Sequence, residues 1–397
     1  MKNILLVAAE NSAETYAVQV LDEFAAGGGE FRFWGIGGDR LAACGFENVV
    51  HNRTLSVVGI IEVVAHLWRI RGIMERIFRE ALKRRADAAL LIDYPDFNLR
   101  LARRLHRAGI PVYYYISPSV WAWRYGRVTQ IRRWVSRLFV IFPFEVPIYE
   151  KEKVTFTFTG HPLLAQVRVG ESRDDFRRRN GVGAADMLLA LLPGSRESEV
   201  AMLLPEIMVA VRRLQKEFPL KVFLQQAQNI APGSLAAAAG ADVRILAQEQ
   251  GYDLLNAADA VITTCGTSNL EAALLNVPFV AVYRVNRLTY LLGRRFLRIG
   301  LYSIVNILAD PPGGRPSSGS GSRQVVAELI QKECRAERIY EETRRILSDP
   351  RLREGMRSEF RRIAASLRQD ERPAAIIFRQ MTEELKAGNK KGLSEIS

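Results

Sequence analysis

Cysteine and long apolar runs are scarce in this chain of 397 residues. Its three cysteines, Cys44, Cys265 and Cys334, are far apart and in no metal-binding spacing, so we expect reduced thiols of a cytosolic protein. No uncharged apolar run reaches the ~18 residues of a membrane-spanning helix. The short apolar start runs into Glu10 and predicts a first strand, with no signal peptide. These absences argue against a disulfide scaffold and a membrane-spanning protein.

Acidic residues are outnumbered, with 43 Asp and Glu against 56 Lys and Arg and a net charge of +13. The excess is spread along helical patterns and predicts a surface that attracts nucleic acid, anionic lipid or phosphorylated substrates. No helix-turn-helix, RNA-recognition or zinc pattern is present, so we expect no nucleic-acid partner.

The stretch 57–85 combines dense apolar residues with the cations that follow them. This pattern suits a helix that lies on an anionic membrane surface without spanning it. A core helix with a solvated basic face is the commoner alternative. The predicted membrane-facing residues are Val57, Val58, Ile60, Ile61, Val64, Leu67 and Trp68.

Strand and helix patterns alternate through residues 3–158 and again through 188–283. This alternation predicts an α/β protein with two doubly wound parallel sheets. The polar stretch 168–185 is a predicted linker, and 311–322 is a predicted flexible loop. The residues after this loop have helical patterns.

A carboxylate follows the most apolar of these strands. Residues 89–92 run directly into Asp93, and Asp96 is the predicted N-cap of the next helix. Ligands of open parallel sheets bind at the carboxyl ends of the strands. Asp93 could therefore act as general base on a hydroxyl group, or it could cap a helix or form an ion pair.

Two later strand ends have features that suit anions. Gly194, Ser195 and Arg196 lie between a strand and a helix, where free N–H groups and a cation suit a diphosphate. A plain turn with a solvated arginine is the alternative.

The second strand end is followed by Cys265, Gly266, Thr267 and Ser268 at another helix start. Glu271 is predicted in the opening turn, where it could accept two ribose hydroxyls or merely favour the helix N-terminus.

His161 follows a strand and a glycine at the boundary between the two halves. It could contact substrate phosphate or transfer a proton. A hinge residue that is hydrogen-bonded to backbone is the favoured interpretation.

Taken together, these segments resemble the lipid-A-disaccharide synthase family of inverting glycosyltransferases. The matching segments cover nearly the whole chain, and SPSVWAWR is the most family-specific of them. They are GIGGDRLAACGFE (35–47), LSVVGIIEVV (55–64), IDYPDFNLRLA (92–102), YYISPSVWAWRYGRV (114–128), FPFEVPIYEK (142–151), FTGHPL (158–163), LLPGSRESEV (191–200) and CGTSNLEAALLNVPFVAVYRVNRLTYLLGRR (265–295).

The resemblance implies two Rossmann-like domains of the glycosyltransferase B-type fold, with a C-terminal helical tail returning to the first. Residues 1–165 with 350–397 would form the acceptor and membrane-facing domain, and 166–349 the UDP-sugar domain. The implied reaction joins UDP-2,3-diacylglucosamine to lipid X, giving a β-1,6-linked disaccharide 1-phosphate and UDP. No cofactor or metal is expected. A peripheral place on the cytoplasmic face of the inner membrane and a possible homodimer are also implied.

Site residues are carried over from the resemblance by position. It implies Asp93 as the catalytic base and Glu10 as a second catalytic residue. It also implies Arg196 as a diphosphate contact. Substrate-cleft residues would be Ser12, Ser117, Trp121, His161 and Asn306.

The first-strand motif departs from the family's G-E-x-S-G-D. Ala9 and Ala13 replace the glycines, and Glu14 replaces the aspartate. In addition, residues 311–322 intervene before Gln324, where the family has a glutamate. These departures motivate an alternative function: a weakly active or non-catalytic paralogue that binds nucleotide sugar or glycolipid at the membrane.

Overall fold

The computed structural model describes residues 1–28, 30–55, 63–227, 230, 235, 239–240, 242–285, 300–310 and 324–394, with 63–67 and 388–394 described by their backbone alone. The chain divides into two compact units. The first unit comprises Met1–Pro162 with Leu367–Ser397, and the second comprises Leu163–Ser366.

Each unit is built on a parallel sheet. Among the described residues, seven strands of the first unit follow the order β3-β2-β1-β4-β5-β6-β7, and six of the second follow β10-β9-β8-β11-β12-β13. The strands are β1 (Lys2–Ala8), β2 (Phe31–Gly37), β3 (Glu47–His51), β4 (Ala88–Ile92), β5 (Val112–Tyr115), β6 (Arg137–Val140), β7 (Phe156–Phe158), β8 (Met187–Leu192), β9 (Leu220–Gln225), β10 (Val243–Leu246), β11 (Ala260–Thr264), β12 (Phe279–Tyr283) and β13 (Glu328–Ile330).

Helices connect these strands. They are α1 (Asn11–Ala26), α2 (Asp39–Ala43), α3 (Val63–Lys83), α4 (Pro95–Arg107), α5 (Arg127–Trp134), α6 (Val146–Lys151), α7 (Leu163–Gln166), α8 (Arg173–Arg179), α9 (Glu197–Leu214), α10 (Gly251–Ala257), α11 (Thr267–Leu274), α12 (Ile304–Ala309), α13 (Ala336–Ser348), α14 (Pro350–Ser366) and α15 (Pro373–Ser394).

The central strands are apolar throughout because both faces of the sheet are covered. In β1, Leu5 and Val7 belong to one apolar core, whereas Ile4 and Leu6 belong to the core on the opposite face. The predicted doubly wound α/β fold is confirmed.

The C-terminal helix α15 packs into the first unit. Its Phe378 ring meets the ring of Phe24 edge to face, with centroids 4.9 Å apart. The preceding helix α14 belongs to the second unit, where Phe360 stacks on Phe279 at 5.5 Å. The returning tail is therefore α15. The expectation that residues 350–366 also join the first unit is wrong, because they belong to the second.

The stretch 168–185 is not the predicted linker. It contains α8, which is held to the second unit by the carboxylate of Asp259. That carboxylate pairs with Arg173 at 2.5 Å and with Arg177 at 3.2 Å, and it accepts the backbone N–H of Leu188 at 2.7 Å. Two of the arginines that suggest a solvated segment, Arg173 and Arg177, are therefore structural.

Replacing Asp259 by alanine removes all three partners of this carboxylate at once. We expect Asp259→Ala to lower the free energy of unfolding of the second unit by about 2 kcal/mol, since charged hydrogen bonds contribute about 1.5–3 kcal/mol. Urea unfolding of the purified chain measures this loss. Asp175→Ala is the matched control, because the exposed Asp175 carboxylate has only local partners on α8, Arg178 at 3.0 Å and the Ser172 hydroxyl at 2.6 Å. Equal losses in the two variants would contradict the assignment.

Candidate active site

Asp93 and Glu10 come together because β1 and β4 are neighbours. The last residue pair of their register is Ala8 with Ile92, so the chain leaves both strands at the same edge. Burial raises the pKa of Asp93 to about 6, and the negative charge of Glu10 adds to the rise. A carboxylate with this pKa is ionised at neutral pH and basic enough to accept a proton.

The backbone at Asp93 is strained. Asp93 and Tyr94 have φ angles of 51° and 44°, in the left-handed region that non-glycine residues seldom occupy. The Asp93 carbonyl accepts hydrogen bonds from the Asn98 side-chain amide at 2.7 Å and from the Tyr114 hydroxyl at 2.6 Å. These two side chains hold the turn through the Asp93 carbonyl, while the Asp93 carboxyl group accepts the backbone N–H of Tyr94.

Asp96 is not the N-cap predicted from the sequence. Helix α4 begins one residue earlier, at Pro95, and the Asp96 carboxylate instead pairs with Arg124 and Arg127, both at 2.7 Å. Proline favours the first helical position, so it sets the start of α4. The N-cap of α4 is Tyr94, without a side-chain cap hydrogen bond, and within the described part of the chain Asp93 forms no ion pair.

The altered first loop is accommodated by the fold. Ala9 and Ala13 are buried in the two apolar cores of the first unit, at 2% and 1% exposure. Glu14 accepts hydrogen bonds from the Leu41 backbone N–H at 3.0 Å and the Asn52 amide at 3.3 Å. The substituted residues thus serve packing and α2 placement.

The loop that begins at Ser117 is anchored by a buried glutamate that the sequence analysis did not select. The Ser117 hydroxyl donates to the Glu145 carboxyl group, and Tyr149 donates to Ser117 at 3.0 Å. Backbone N–H groups of Ile141 and Phe142 also donate to Glu145. Burial raises the pKa of Glu145 to about 7. Ser117 therefore positions its loop.

The remaining substrate-cleft predictions in this unit have different surroundings. Ser12 is exposed on α1, and Trp121 is half-buried against Phe144, with ring centroids 5.2 Å apart. His161 is buried, and burial lowers the pKa of its imidazole to about 3, so the ring is neutral. Its backbone N–H donates to Leu367 at 3.0 Å. These surroundings favour the hinge interpretation of His161 over a charged phosphate contact.

In the second unit, two of the predicted loops lie side by side. Leu192 of β8 is paired with Thr263 of β11, so both strands end at one edge. Gly194 has a φ of 124°, and a Cβ built on it would lie 3.5 Å from the Thr264 side chain and 2.9 Å from the Glu199 carboxylate. Glycine is therefore required where the first loop passes the second.

Arg196 precedes α9 and points to solvent. Its side chain is 76% exposed, and its ion pair with Glu199 spans 2.9 Å. A diphosphate at this helix start would compete with Glu199 for the guanidinium. Ser195 is exposed beside it.

The second loop leads into α11. Gly266 and Thr267 are exposed, whereas Ser268 accepts a hydrogen bond from Thr263 at 2.8 Å. Cys265 is half-buried, and burial raises the pKa of its thiol well above the usual range. The backbone N–H groups that begin α11 thus face the same edge as those of α9.

Glu271 lies in the second turn of α11, not in the predicted opening turn. Helix-terminus stabilisation acts within the first turn, so that alternative is excluded. The carboxyl group accepts the Tyr252 hydroxyl at 3.1 Å, and burial raises its pKa. Tyr252 is a site residue that the sequence pattern did not reveal, since it lies on α10.

Asn306 is fully buried and satisfied within the second unit. Its amide donates to Val326 at 2.9 Å and to Glu328 at 2.7 Å, and its oxygen accepts the backbone N–H groups of Val325 and Val326. An asparagine side chain has two donor hydrogens and two acceptor positions. All four are used, so Asn306 orders the chain near β13 and has no hydrogen bond left for a substrate.

Most of the predicted membrane-facing residues lie outside the description. Val57, Val58, Ile60 and Ile61 fall outside the described residues, as do the side chains of Val64 and Leu67 and the predicted loop 311–322. Trp68 is described and is 69% exposed on α3. Within the described ranges, no helix is both long and apolar enough to cross a membrane.

Solved structures of other proteins share this fold. The structure resembles CalG4, the calicheamicin glycosyltransferase, with a TM-score of 0.59, 15% identity and 98% coverage of both chains. It also resembles Acinetobacter baumannii MurG, with a TM-score of 0.55, 14% identity and coverage of 96% of this chain and 100% of that one. The two-sheet architecture is the glycosyltransferase B-type fold.

Sequence relatives give the family. Residues 4–381 match the lipid-A-disaccharide synthetase family model. The lipid-A-disaccharide synthase of Geobacter sulfurreducens is 39% identical over 359 residues, which cover 89% of this chain and 90% of that one. The Myxococcus xanthus enzyme of the same name is 40% identical over 346 residues, covering 86% and 87%. The chain belongs to the lipid-A-disaccharide synthase family, as the sequence motifs predict.

The raised pKa of Asp93 has a measurable effect on stability. A carboxyl group whose pKa is higher in the folded than in the unfolded chain weakens the fold as it ionises, here between about pH 4 and pH 6. Asp93→Asn removes this cost. We expect the variant to exceed the wild type in unfolding free energy by on the order of 2 kcal/mol at pH 8, with no gain at pH 4. Urea unfolding at the two pH values measures the difference.

Asp96→Asn is the control, since it breaks two ion pairs and should stabilise at neither pH. If Asp93→Asn raises the unfolding free energy equally at pH 4 and pH 8, the gain does not come from the ionisation of Asp93.

Proposed function

We propose that this protein transfers 2,3-diacylglucosamine from UDP-2,3-diacylglucosamine to the 6-hydroxyl of lipid X, at the cytoplasmic face of the inner membrane. The observation that supports this most is Asp93. It is a partly buried carboxylate at a strand end, with a pKa raised to about 6, and no lysine or arginine among the described residues forms an ion pair with it. Membership of the family supplies the substrate classes.

In the proposed reaction, Asp93 accepts the proton of the acceptor 6-hydroxyl. The oxygen then attacks the anomeric carbon of the donor, the bond between that carbon and the UDP oxygen breaks, and UDP leaves with the bonding electron pair. Attack from the face opposite to UDP inverts the configuration and gives the β-linkage. Glu10 contributes by its charge, which makes Asp93 a stronger base.

The second unit would hold the leaving group. Negative charge develops on the diphosphate as the bond breaks, and backbone N–H groups at the starts of α9 and α11 suit it. Arg196 is exposed and adds a cation there once it exchanges Glu199 for phosphate. Glu271, with the Tyr252 hydroxyl beside it, lies one turn further along α11 and would accept the ribose hydroxyls.

The non-catalytic alternative is the weaker proposal. It rests mainly on the altered first loop, and Ala9 and Ala13 are packed there without a positive φ angle.

The membrane surface is proposed from the exposed Trp68, with Arg71 6.0 Å from its ring, on a helix rich in cations.

A UDP-release assay with purified protein, the donor and lipid X tests the proposal directly. We expect the wild type to release UDP and Asp93→Ala to lose at least about 100-fold in kcat, the range that general-base catalysis contributes. Asp87→Ala is a control, because Asp87 lies before the same strand and pairs with Lys2 away from the carboxyl ends. Absence of UDP release by the wild type would refute the function.

The influence of Glu10 on Asp93 predicts a shift in the pH profile. The acid limb of kcat/KM should lie near pH 6, because Asp93 must be ionised to accept a proton. Glu10→Gln removes a negative charge that raises this pKa, so the limb should move to lower pH even if the maximal rate falls. A limb that stays near pH 6 or moves upward in this variant would show that Glu10 does not tune Asp93.

A further inference from the structure

A cavity of about 710 Å³ lies on the first unit beside the beginning of α4. Its lining is rich in arginine and contains one acidic residue, Asp96. Its six arginines are Arg100, Arg103, Arg104, Arg107, Arg124 and Arg127.

The arginines converge for a geometric reason. Arg100, Arg103, Arg104 and Arg107 follow the i, i+3, i+4, i+7 spacing, which places them on one face of α4. Arg124 and Arg127 come from the loop before α5 and from its first residue. Two adjacent elements thus direct six guanidinium groups to one cavity.

These charges are under-compensated. Asp96 is shared between Arg124 and Arg127, and Arg104 pairs with Glu75 at 2.7 Å. Within the described residues, no carboxylate is in ion-pair distance of Arg100, Arg103 or Arg107. Two carboxylates therefore face six cations.

One of the cations is also buried. Arg127 is only 6% exposed, and a buried charge is costly unless it is paired. Among the described residues its one carboxylate partner is Asp96, which is exposed and also pairs with Arg124. An anion in the cavity would complete the pairing, and planar guanidinium groups bind phosphate oxygens with two hydrogen bonds at once.

The cavity also has apolar walls. Met74, Leu99 and Trp134 line it, and Arg103 lies 5.6 Å from the centre of the Trp134 ring. An aromatic and aliphatic wall beside the cations suits a phosphorylated sugar that carries apolar groups better than free inorganic phosphate.

We propose that this cavity binds the phosphate monoester of the acceptor, an inference that rests on the proposed transferase function. Asp96 on its rim is three residues from Asp93, so their Cα atoms are at most about 11 Å apart. The phosphate of the acceptor is on C1, and the reacting hydroxyl is on C6, which is attached to C5. Since C1 and C5 flank the ring oxygen, the two groups are on the same side of one sugar ring. Phosphate bound among these arginines would hold that hydroxyl near the Asp93 carboxylate.

The test compares two acceptors in two variants. One acceptor is lipid X, and the other is the same diacylglucosamine with a hydroxyl group in place of the 1-phosphate. The variant Arg100→Gln/Arg103→Gln removes two cavity cations that have no carboxylate partner. The control Arg132→Gln/Arg133→Gln removes two exposed cations of α5 that do not line the cavity.

We expect the wild type and the control to favour lipid X by at least about tenfold in kcat/KM. This ratio corresponds to the free energy of one charge-assisted hydrogen bond. In Arg100→Gln/Arg103→Gln this preference should fall below about threefold. The KM for the acceptor should rise, with the KM for the donor unchanged. Preference retained in that variant, or no preference in the wild type, would overturn the proposal.

A lipid headgroup is the other source of phosphate that such a cavity could meet. Sedimentation with phosphatidylglycerol vesicles distinguishes the two sources. If Arg100→Gln/Arg103→Gln loses vesicle binding but keeps its preference for lipid X, the cavity binds lipid headgroups and the proposal is wrong.

Phosphate binding can also be measured without turnover. A ³¹P-detected titration of glucosamine 1-phosphate should show binding to the wild type that Arg100→Gln/Arg103→Gln weakens at least about tenfold. If the wild type binds this probe but releases no UDP, the transferase function fails while the phosphate site stands. If it releases UDP but does not bind the probe, the phosphate site fails alone.

Discussion

The pairing of β1 with β4 is the constraint on which the candidate active site depends. Because Ala8 and Ile92 close the register of these parallel strands, Glu10 and Asp93 leave the sheet at the same edge. The sheet is buried on both faces, so Asp93 emerges into a poorly solvated environment beside a like charge. Both effects favour the protonated carboxyl group, which is how a residue with an ordinarily acidic side chain becomes a base near neutral pH.

The second unit uses the same sheet geometry with the opposite electrostatics. The pairing of β8 with β11 brings two strand ends together, and each is followed by a helix whose free N–H groups attract anions. The first unit therefore concentrates carboxylates at its strand ends, whereas the second offers helix N-termini and Arg196. The proposed reaction needs this division, since one substrate would lose a proton and the other a negatively charged leaving group.

Much of the scaffold was predictable because buried parallel strands are continuous apolar runs. The predicted strand that runs into Asp93, residues 89–92, lies within β4 (Ala88–Ile92). The edge strand β13 lies where only helical patterns are predicted, since a short edge strand has little apolar pattern. The docking of α8 was missed as well, because its arginines look solvated until Asp259, some 80 positions later, is placed beside them.

The residues of the candidate site also fall into those that the sequence could predict and those that it could not. Asp93, Gly194 and Glu271 could be selected by their positions after strands, whereas Glu145 and Tyr252 could not, because their partners are distant in sequence. Asn306 resembles a substrate contact until its four hydrogen bonds are counted.

The sequence by itself determined the family, the alternation of strands and helices, and the carboxylate at the end of β4, because these depend on local pattern and residue type. Only the tertiary structure decided the raised pKa of Asp93, the competition of Glu199 for Arg196, and the convergence of six arginines on one cavity. Burial and charge interactions depend on distances between residues that the chain order does not reveal.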